Sequence, residues 1–260
     1  MLKRENHVKK LLKEGKNVIA AWVQAASPIT AEIVARAGFD VVMIDLEHGP
    51  GDVMSTIAQV QAMQGADAVP FARAPWNDMV AIKRILDAGI YGLLVPYVNT
   101  AKEAVAAVRA AKYPPQGMRG IAGSPRAAGY GNNSMQYLVS ANDEIFVMIA
   151  IETPEAAENL DRILEVEGLD GIFIGPMDLA TSMGSFGNPK NDRVQEVIRG
   201  IERKVLAAGK VLGTVASTWE DAHEKYRKGY QFIVGFSDTT SLNQAAMQRV
   251  QEFSRNYPDR

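Results

Sequence analysis

Eight short apolar runs, each followed by a stretch of helical period, punctuate the 260-residue chain, and this alternation constrains its fold more than any single motif. The runs are NVIAAWV (17–23), DVVMID (40–45), AVPFAR (68–73), GLLVPYV (92–98), IFVMIAIE (145–152), DGIFIG (170–175), VLGTVAS (211–217) and QFIVGF (231–236). Strands alternating with helices predict βαβ units and a parallel sheet. The intervening segments include NDMVAIKRILDAG, TAKEAVAAVRAAK, TPEAAENLDRILEVEG and TWEDAHEKYRKG. Most open on Thr, Asp or Asn and close near Gly, the chemistry of helix boundaries. Eight such beats in 260 residues match one (β/α)8 TIM barrel, typically about 250 residues long, better than a doubly wound sheet. No Ser/Gly linker or composition break divides the chain, so the reading is a single domain over 1–260.

Composition removes several function classes. With 47% hydrophobic and 22% charged residues the chain can bury a substantial core. A net charge of −2 gives no electrostatic case for a nucleic acid or an anionic membrane as partner. The absence of cysteine excludes disulfides, thiolate metal sites and a Cys nucleophile. The basic N-terminal segment MLKRENHVKKLLKEGKN has no continuous apolar stretch, so it does not read as a secretory signal, and the cytoplasm is the expected compartment.

In a closed barrel the strand ends converge on one mouth, where such folds carry their chemistry. Strand two ends in Asp45, Glu47 and His48, strand three in Arg73, strand five in Glu152, and strand six runs into Asp178. Two long connections, 113–143 and 177–193, are expected to follow strand C-terminal ends as functional loops. Glu152 and Asp178 fall on adjacent strands, and with no Cys or second nearby His, two carboxylates suit a hard cation such as Mg²⁺ or Mn²⁺. Taken singly, Glu152 or Asp178 reads equally as a helix cap, His48 as a structural histidine, and Arg73 as a surface residue paired with Asp78 or another loop acid. His7 and His223 read as solvated. Asp45 and Asp52 stay open, as supports of other groups or as loop-solvating residues. The coincidence of an imidazole, an Arg and two carboxylates at one end of four strands raises the functional reading.

The stretches FDVVMIDLEHGPGD, ARAPWNDMVAIKRILDAGIYGLLVPYVNTAKEA, YPPQGMRG, IETPEAAENLDRILEVEGLDGIFIGPMDLATSMG and GNP resemble the HpcH/HpaI family of metal-dependent pyruvate aldolases. The likeness runs from about strand one to FIVGFSDTTSL, with several motifs in order. It implies a class II aldolase that cleaves a 4-hydroxy-2-oxo acid reversibly to pyruvate and an aldehyde, with Mg²⁺, Mn²⁺ or Co²⁺ as cofactor. On this resemblance Glu152 and Asp178 are the metal carboxylates, His48 the catalytic base, and Arg73 the residue beside the pyruvate oxygens. Asp87 is the partner of the histidine, and the backbone N–H groups of Gly175 and Met177 hold the pyruvate carboxylate. The family's assembly implies a hexamer in which SLNQAAMQRVQEFSRNY packs on a neighbour. Ala150 stands where relatives often carry Gln, Leu46 replaces a Gly seen in some, and AGSPRAAGYGNN differs from the ARASRW of others, so the aldehyde partner is open.

Three rivals frame the expectation. A Schiff-base aldolase needs a lysine facing into the barrel, and none of the eight strand runs contains one. A citryl- or malyl-type thioester lyase would share the barrel, the carboxylates and the Arg, but fits His48 and IDLEHG less well. A phosphosugar isomerase or simple binding barrel would use VLGTVAS and VGFSDTT as a phosphate cradle. Neither stretch is a strong phosphate motif.

Overall fold

The computed structural model describes residues 5–132 and 134–259. The first four residues of the basic N-terminal segment, and Asn133 within AGSPRAAGYGNN, lie outside it. The strands are β1 (Val18–Val23), β2 (Val41–Asp45), β3 (Val69–Arg73), β4 (Gly92–Val95), β5 (Phe146–Ile151), β6 (Gly171–Ile174), β7 (Val211–Val215) and β8 (Phe232–Ser237). All pair in parallel and in sequence order, and β8 returns to β1, closing the barrel expected from the eightfold alternation.

The runs read as continuously apolar because both faces of each strand are buried. One set of alternate residues, including Trp22, Met43, Phe71, Leu94, Met148, Ala150, Phe173 and Phe232, fills the barrel interior. The other set, including Ile44, Ala72, Leu93, Ile149, Ile172 and Ile233, packs under the helices. Phe71 stacks between Phe146 at 5.7 Å and Phe232 at 6.0 Å, so the barrel is plugged below its mouth. A Cβ on Gly92 would lie 2.3 Å from the Phe71 ring, which is why β4 opens on glycine. Full burial of one such side chain stabilises the fold by about 1.5–3 kcal/mol.

Short polar residues start the helices as their sequence predicts. Thr100, Thr153 and Thr218 accept hydrogen bonds from backbone N–H groups in the first turns that follow them. Asp52 accepts from the N–H of Ser55 in a reciprocal capping box, which assigns it to the start of helix Val53–Ala62. Asp78 likewise caps helix Met79–Asp87, so its carboxylate is spent locally.

The two long connections part ways. The 177–193 segment leaves β6 at the mouth, as expected, and opens with helix Pro176–Ser182. The 113–143 segment does not follow a strand. It runs from the end of helix Ala101–Ala111 to β5, through a short 3₁₀ turn and helix Ser134–Glu144, and therefore lies at the opposite face of the barrel. Part of it packs against helix Met79–Asp87. Arg119, fully buried, donates to Asp87 at 2.6 Å and lies over the Tyr113 ring at 4.6 Å.

Strand four is shorter than its apolar run. Pro96 has no N–H to continue the ladder, and Tyr97 turns away with a φ of 51°, a strained conformation for a non-glycine residue. No helix among the described residues is long and apolar enough to cross a membrane. The last helix, Asp238–Asn256, leaves Leu242, Met247, Val250 and Phe253 exposed.

Candidate active site

At the mouth, Asp45 and Arg73 are register partners, the last residues of β2 and β3. The guanidinium grips the carboxylate with two nitrogens, Nε to Oδ1 at 2.9 Å and Nη2 to Oδ2 at 2.6 Å. Asp45 also accepts from the backbone N–H groups of Glu47 and His48, at 3.1 and 3.2 Å, and from Gln24 Nε2 at 2.7 Å. Burial opposes its ionisation, but the Arg73 bonds and these further donors outweigh that penalty and hold its carboxyl below the usual range. Asp45 is thus a fixed anion that orients its neighbours.

Arg73 is held on three sides. Its Nη1 lies 3.0 Å from Glu47 Oε2, and its plane sits 4.4 Å above the Trp22 ring. With only 11% of its side chain exposed, it is not the surface partner of Asp78.

A second group of carboxylates faces this cation. Glu152 follows β5, is 4% exposed, and accepts at one oxygen from the Tyr97 N–H at 3.0 Å. The strained turn at Tyr97 therefore has a function: it aims a backbone donor at the site. Burial pushes the Glu152 carboxyl up to about 7, and repulsion from Glu47 and Asp178 adds to the shift. Burial raises Glu47 as well, against the pull of Arg73 and His48, with Asp45 and Asp178 adding to the rise. Its buried Oε2 makes no hydrogen bond of good geometry. Glu152 therefore feels the negative charge of Glu47 and Asp178 on top of its burial, the electrostatic condition a divalent cation relieves.

The cap readings of Glu152 and Asp178 are settled by position. Thr153 caps the helix after Glu152, and Gly175 is the N-cap residue before Asp178, with no side-chain cap. Asp178 lies in the first turn, beside Met177. The Gly175 N–H is already directed to the Ile151 carbonyl at 3.3 Å, whereas that of Met177 stands in the turn where N–H groups lack intrahelical acceptors. A Cβ on Gly175 would come within 2.7 Å of Glu152 Cγ and Oε1, so the glycine makes room for that carboxylate.

His48 stands at the rim, its side chain 60% exposed and its Nε2 3.8 Å from Glu47 Oε2. Asp87 is not beside it. That residue ends helix Met79–Asp87, which leads into the start of β4, and its carboxylate is engaged by Arg119. Trp22, Gln24 and the Tyr97 N–H were not among the residues the sequence singled out. Gln24 could have been found by the rule that found Arg73, since it is the first polar residue beyond a strand run. Within the two stretches read as a phosphate cradle, Thr214 donates to the Ile174 carbonyl and Ser237 caps the helix that follows it.

Among the described residues, no three His, Cys, Asp or Glu side chains are arranged to hold a metal ion. A hard cation does not need three, because Mg²⁺ is commonly held by one or two carboxylates with water and substrate completing its shell. Glu152, whose carboxyl burial raises, together with Asp178 beside it, fits such an ion.

A closed (β/α)8 barrel with an acid-lined, arginine-anchored mouth has the form of a barrel enzyme's active site. The chain belongs to the HpcH/HpaI aldolase/citrate lyase family, whose model matches residues 19–245, and as a member it is a carbon–carbon lyase. It is 43% identical over 242 residues to a 4-hydroxy-2-oxo-heptane-1,7-dioate aldolase of Shigella sonnei, covering 93% of this chain and 92% of that one. Among solved structures, an HpcH/HpaI aldolase/citrate lyase family protein of Burkholderia cenocepacia superposes with a TM-score of 0.91 at 31% identity, covering 95% of this chain and 99% of the other. An HpcH/HpaI aldolase of Desulfitobacterium hafniense gives 0.88 at 29% identity, covering 95% and 96%.

Proposed function

We propose that this protein is a class II pyruvate aldolase, which cleaves a 4-hydroxy-2-oxo acid reversibly into pyruvate and an aldehyde with a divalent cation held by Glu152 and Asp178. The observation that carries this reading is the immobilised Arg73 guanidinium, pinned by Asp45, Glu47 and Trp22 beside Glu47 and Glu152, two carboxyls that burial raises. When bound, the cation supplies positive charge that stabilises the negative charge appearing on the 2-oxo oxygen as the C3–C4 bond breaks. Arg73 adds donors fixed in advance at the same oxygens. His48 takes the proton from the C4 hydroxyl at the open rim, a task that suits imidazole. The Met177 N–H holds the substrate carboxylate. Trp76 and Tyr97, stacked at 5.9 Å beside the mouth, form the wall the aldehyde moiety meets.

The protein is a single domain that acts in the cytoplasm as a homo-oligomer, a hexamer on the family pattern, whose contacts cover the apolar face of helix Asp238–Asn256. Within one chain Asp87 stands at the opposite end of the barrel wall from His48, so a His48–Asp87 pair joins two copies of that assembly. A thioester lyase of the citryl type shares the barrel but has no observation here that favours it.

The test is an assay of pyruvate release from a panel of 4-hydroxy-2-oxo acids with Mg²⁺, Mn²⁺ and Co²⁺. Release that stops on chelation and returns with metal is expected; release unaffected by EDTA, or a borohydride-trapped adduct with pyruvate, contradicts it. Two variants probe the geometry. Gly175→Ala drives a methyl group into Glu152 and should weaken divalent-ion affinity by roughly 10–100-fold in a calorimetric titration, the usual worth of a ligand-orienting contact. Arg73→Lys keeps the charge but loses the planar fork. Its kcat/KM should fall about tenfold or more, or about 1.4 kcal/mol of transition-state stabilisation, with metal content unchanged. Parental kinetics in Arg73→Lys would remove Arg73 from the chemistry.

A further inference from the structure

We infer that Gln24 is a positioning residue of this site: its side-chain amide fixes Asp45, and through Asp45 the angle at which Arg73 presents its guanidinium. The inference rests on the role proposed for Arg73.

The β1–β2 register pairs Val23 with Ile44, so the next residues, Gln24 and Asp45, lie side by side. Trp22 points into the barrel, and strand alternation turns Gln24 the same way. Its Nε2 donates to Asp45 Oδ2 at 2.7 Å, and the same oxygen receives Arg73 Nη2 at 2.6 Å. Its Oε1 accepts from Ser237 Oγ at 2.9 Å, and its backbone N–H donates to Asp238 Oδ1 at 2.8 Å. Backbone and side chain are thus both tied to the β8 end, and the amide bridges that end to the carboxylate on β2. Its orientation is dictated by chemistry, because an ionised carboxylate accepts only from the N–H₂ end while the Ser237 hydroxyl can donate to the oxygen.

The consequence concerns geometry more than binding. Asp45 Oδ2 has two side-chain donors, Gln24 and Arg73; Oδ1 has the Glu47 and His48 N–H groups and Arg73 Nε. Without Gln24, a fully buried carboxylate oxygen relies on Arg73 alone. The carboxylate then turns toward the guanidinium and draws it off the angle set by Glu47 and Trp22. A misplacement of about 1 Å in a positioned group can cost up to ~10²-fold in rate. Ala150, on the inner face of β5 below Glu152, offers no polar group to compensate.

The experiment is a double-mutant cycle on the full-length enzyme loaded with Mg²⁺, reading kcat and KM for cleavage and the exchange of pyruvate methyl protons with deuterated solvent. Gln24→Leu keeps the volume and removes the amide. It should lower kcat and exchange together by about tenfold, with KM and metal content near parental values. In the Arg73→Lys background the same substitution should cost less than about twofold, because the group it positions is already gone. Gln24→Glu, which sets an acceptor against Asp45, should be slower than Gln24→Leu and stands in if the latter folds poorly. Equal losses from Gln24→Leu in both backgrounds would mark a structural residue and overturn the inference, as would parental exchange in both Gln24 variants. A parent enzyme that exchanges no pyruvate protons would overturn the pyruvate aldolase reading and this inference with it.

Discussion

Replacing Glu152 or Asp178 by Ala is expected to abolish both divalent-ion retention and turnover. Each supplies one of the two charged oxygens proposed for the ion, and no third ligand cluster among the described residues could take over. The Glu152 variant carries a second readout independent of activity. In the metal-free protein, burial lifts this carboxyl from 4.5 to about 7, so the folded state binds more protons than the unfolded state across that window. Metal-free stability should then fall as pH rises from about 4.5 to about 7, and Glu152→Ala should lose that slope. Added cation should reverse the sign in the parent, because binding needs the ionised form. Metal content after dialysis and melting temperature against pH check both statements. An Ala variant that keeps its metal and cleaves at parental rate would show that the pair is not the ligand set.

His48→Ala is expected to slow cleavage by roughly 10²–10⁴-fold, the usual contribution of a positioned general base, with metal content unchanged. The imidazole is reachable by a bound substrate, since its side chain is 60% exposed and its Nε2 lies 3.8 Å from Glu47 Oε2. The same exposure predicts that the variant melts near the parent. A His48→Ala enzyme with parental turnover would assign the base to another group, and Glu47 would be the next to test.

Much of this architecture was legible in the sequence because both faces of the barrel strands are buried, which writes them as uninterrupted apolar runs between capped helices. Boundaries agreed to within a residue or two except at β4, where Pro96 and the left-handed Tyr97 end pairing inside an apolar stretch. The 113–143 connection lies on the face opposite to the one its length predicts. Its length signalled function, but a segment that follows a helix and precedes a strand emerges at the strands' N-terminal ends. Strand-end polarity located Asp45, Arg73 and Glu152, yet it could not tell that Asp45 would be clamped by five donors or that Asp52 is a helix cap. Those distinctions depend on register. Gln24, just beyond its apolar run, and Trp22, inside it, carry no charge, so only a rule that reads every polar or aromatic residue at a strand end finds them. The placement of Asp87 depends on which end of a helix it occupies, which a motif match alone does not weigh.

A cation at Glu152 and Asp178, beside a rigid Arg73, is proposed to let this barrel stabilise the pyruvate enolate. The most direct measurement is proton–deuterium exchange at the pyruvate methyl group followed by NMR, before and after chelation and again after Mg²⁺ is restored, with no aldehyde present. The predicted result is exchange that stops with the chelator, returns with Mg²⁺, and is absent from Glu152→Ala under all three conditions. Exchange that continues undiminished in the chelated parent enzyme would contradict the claim.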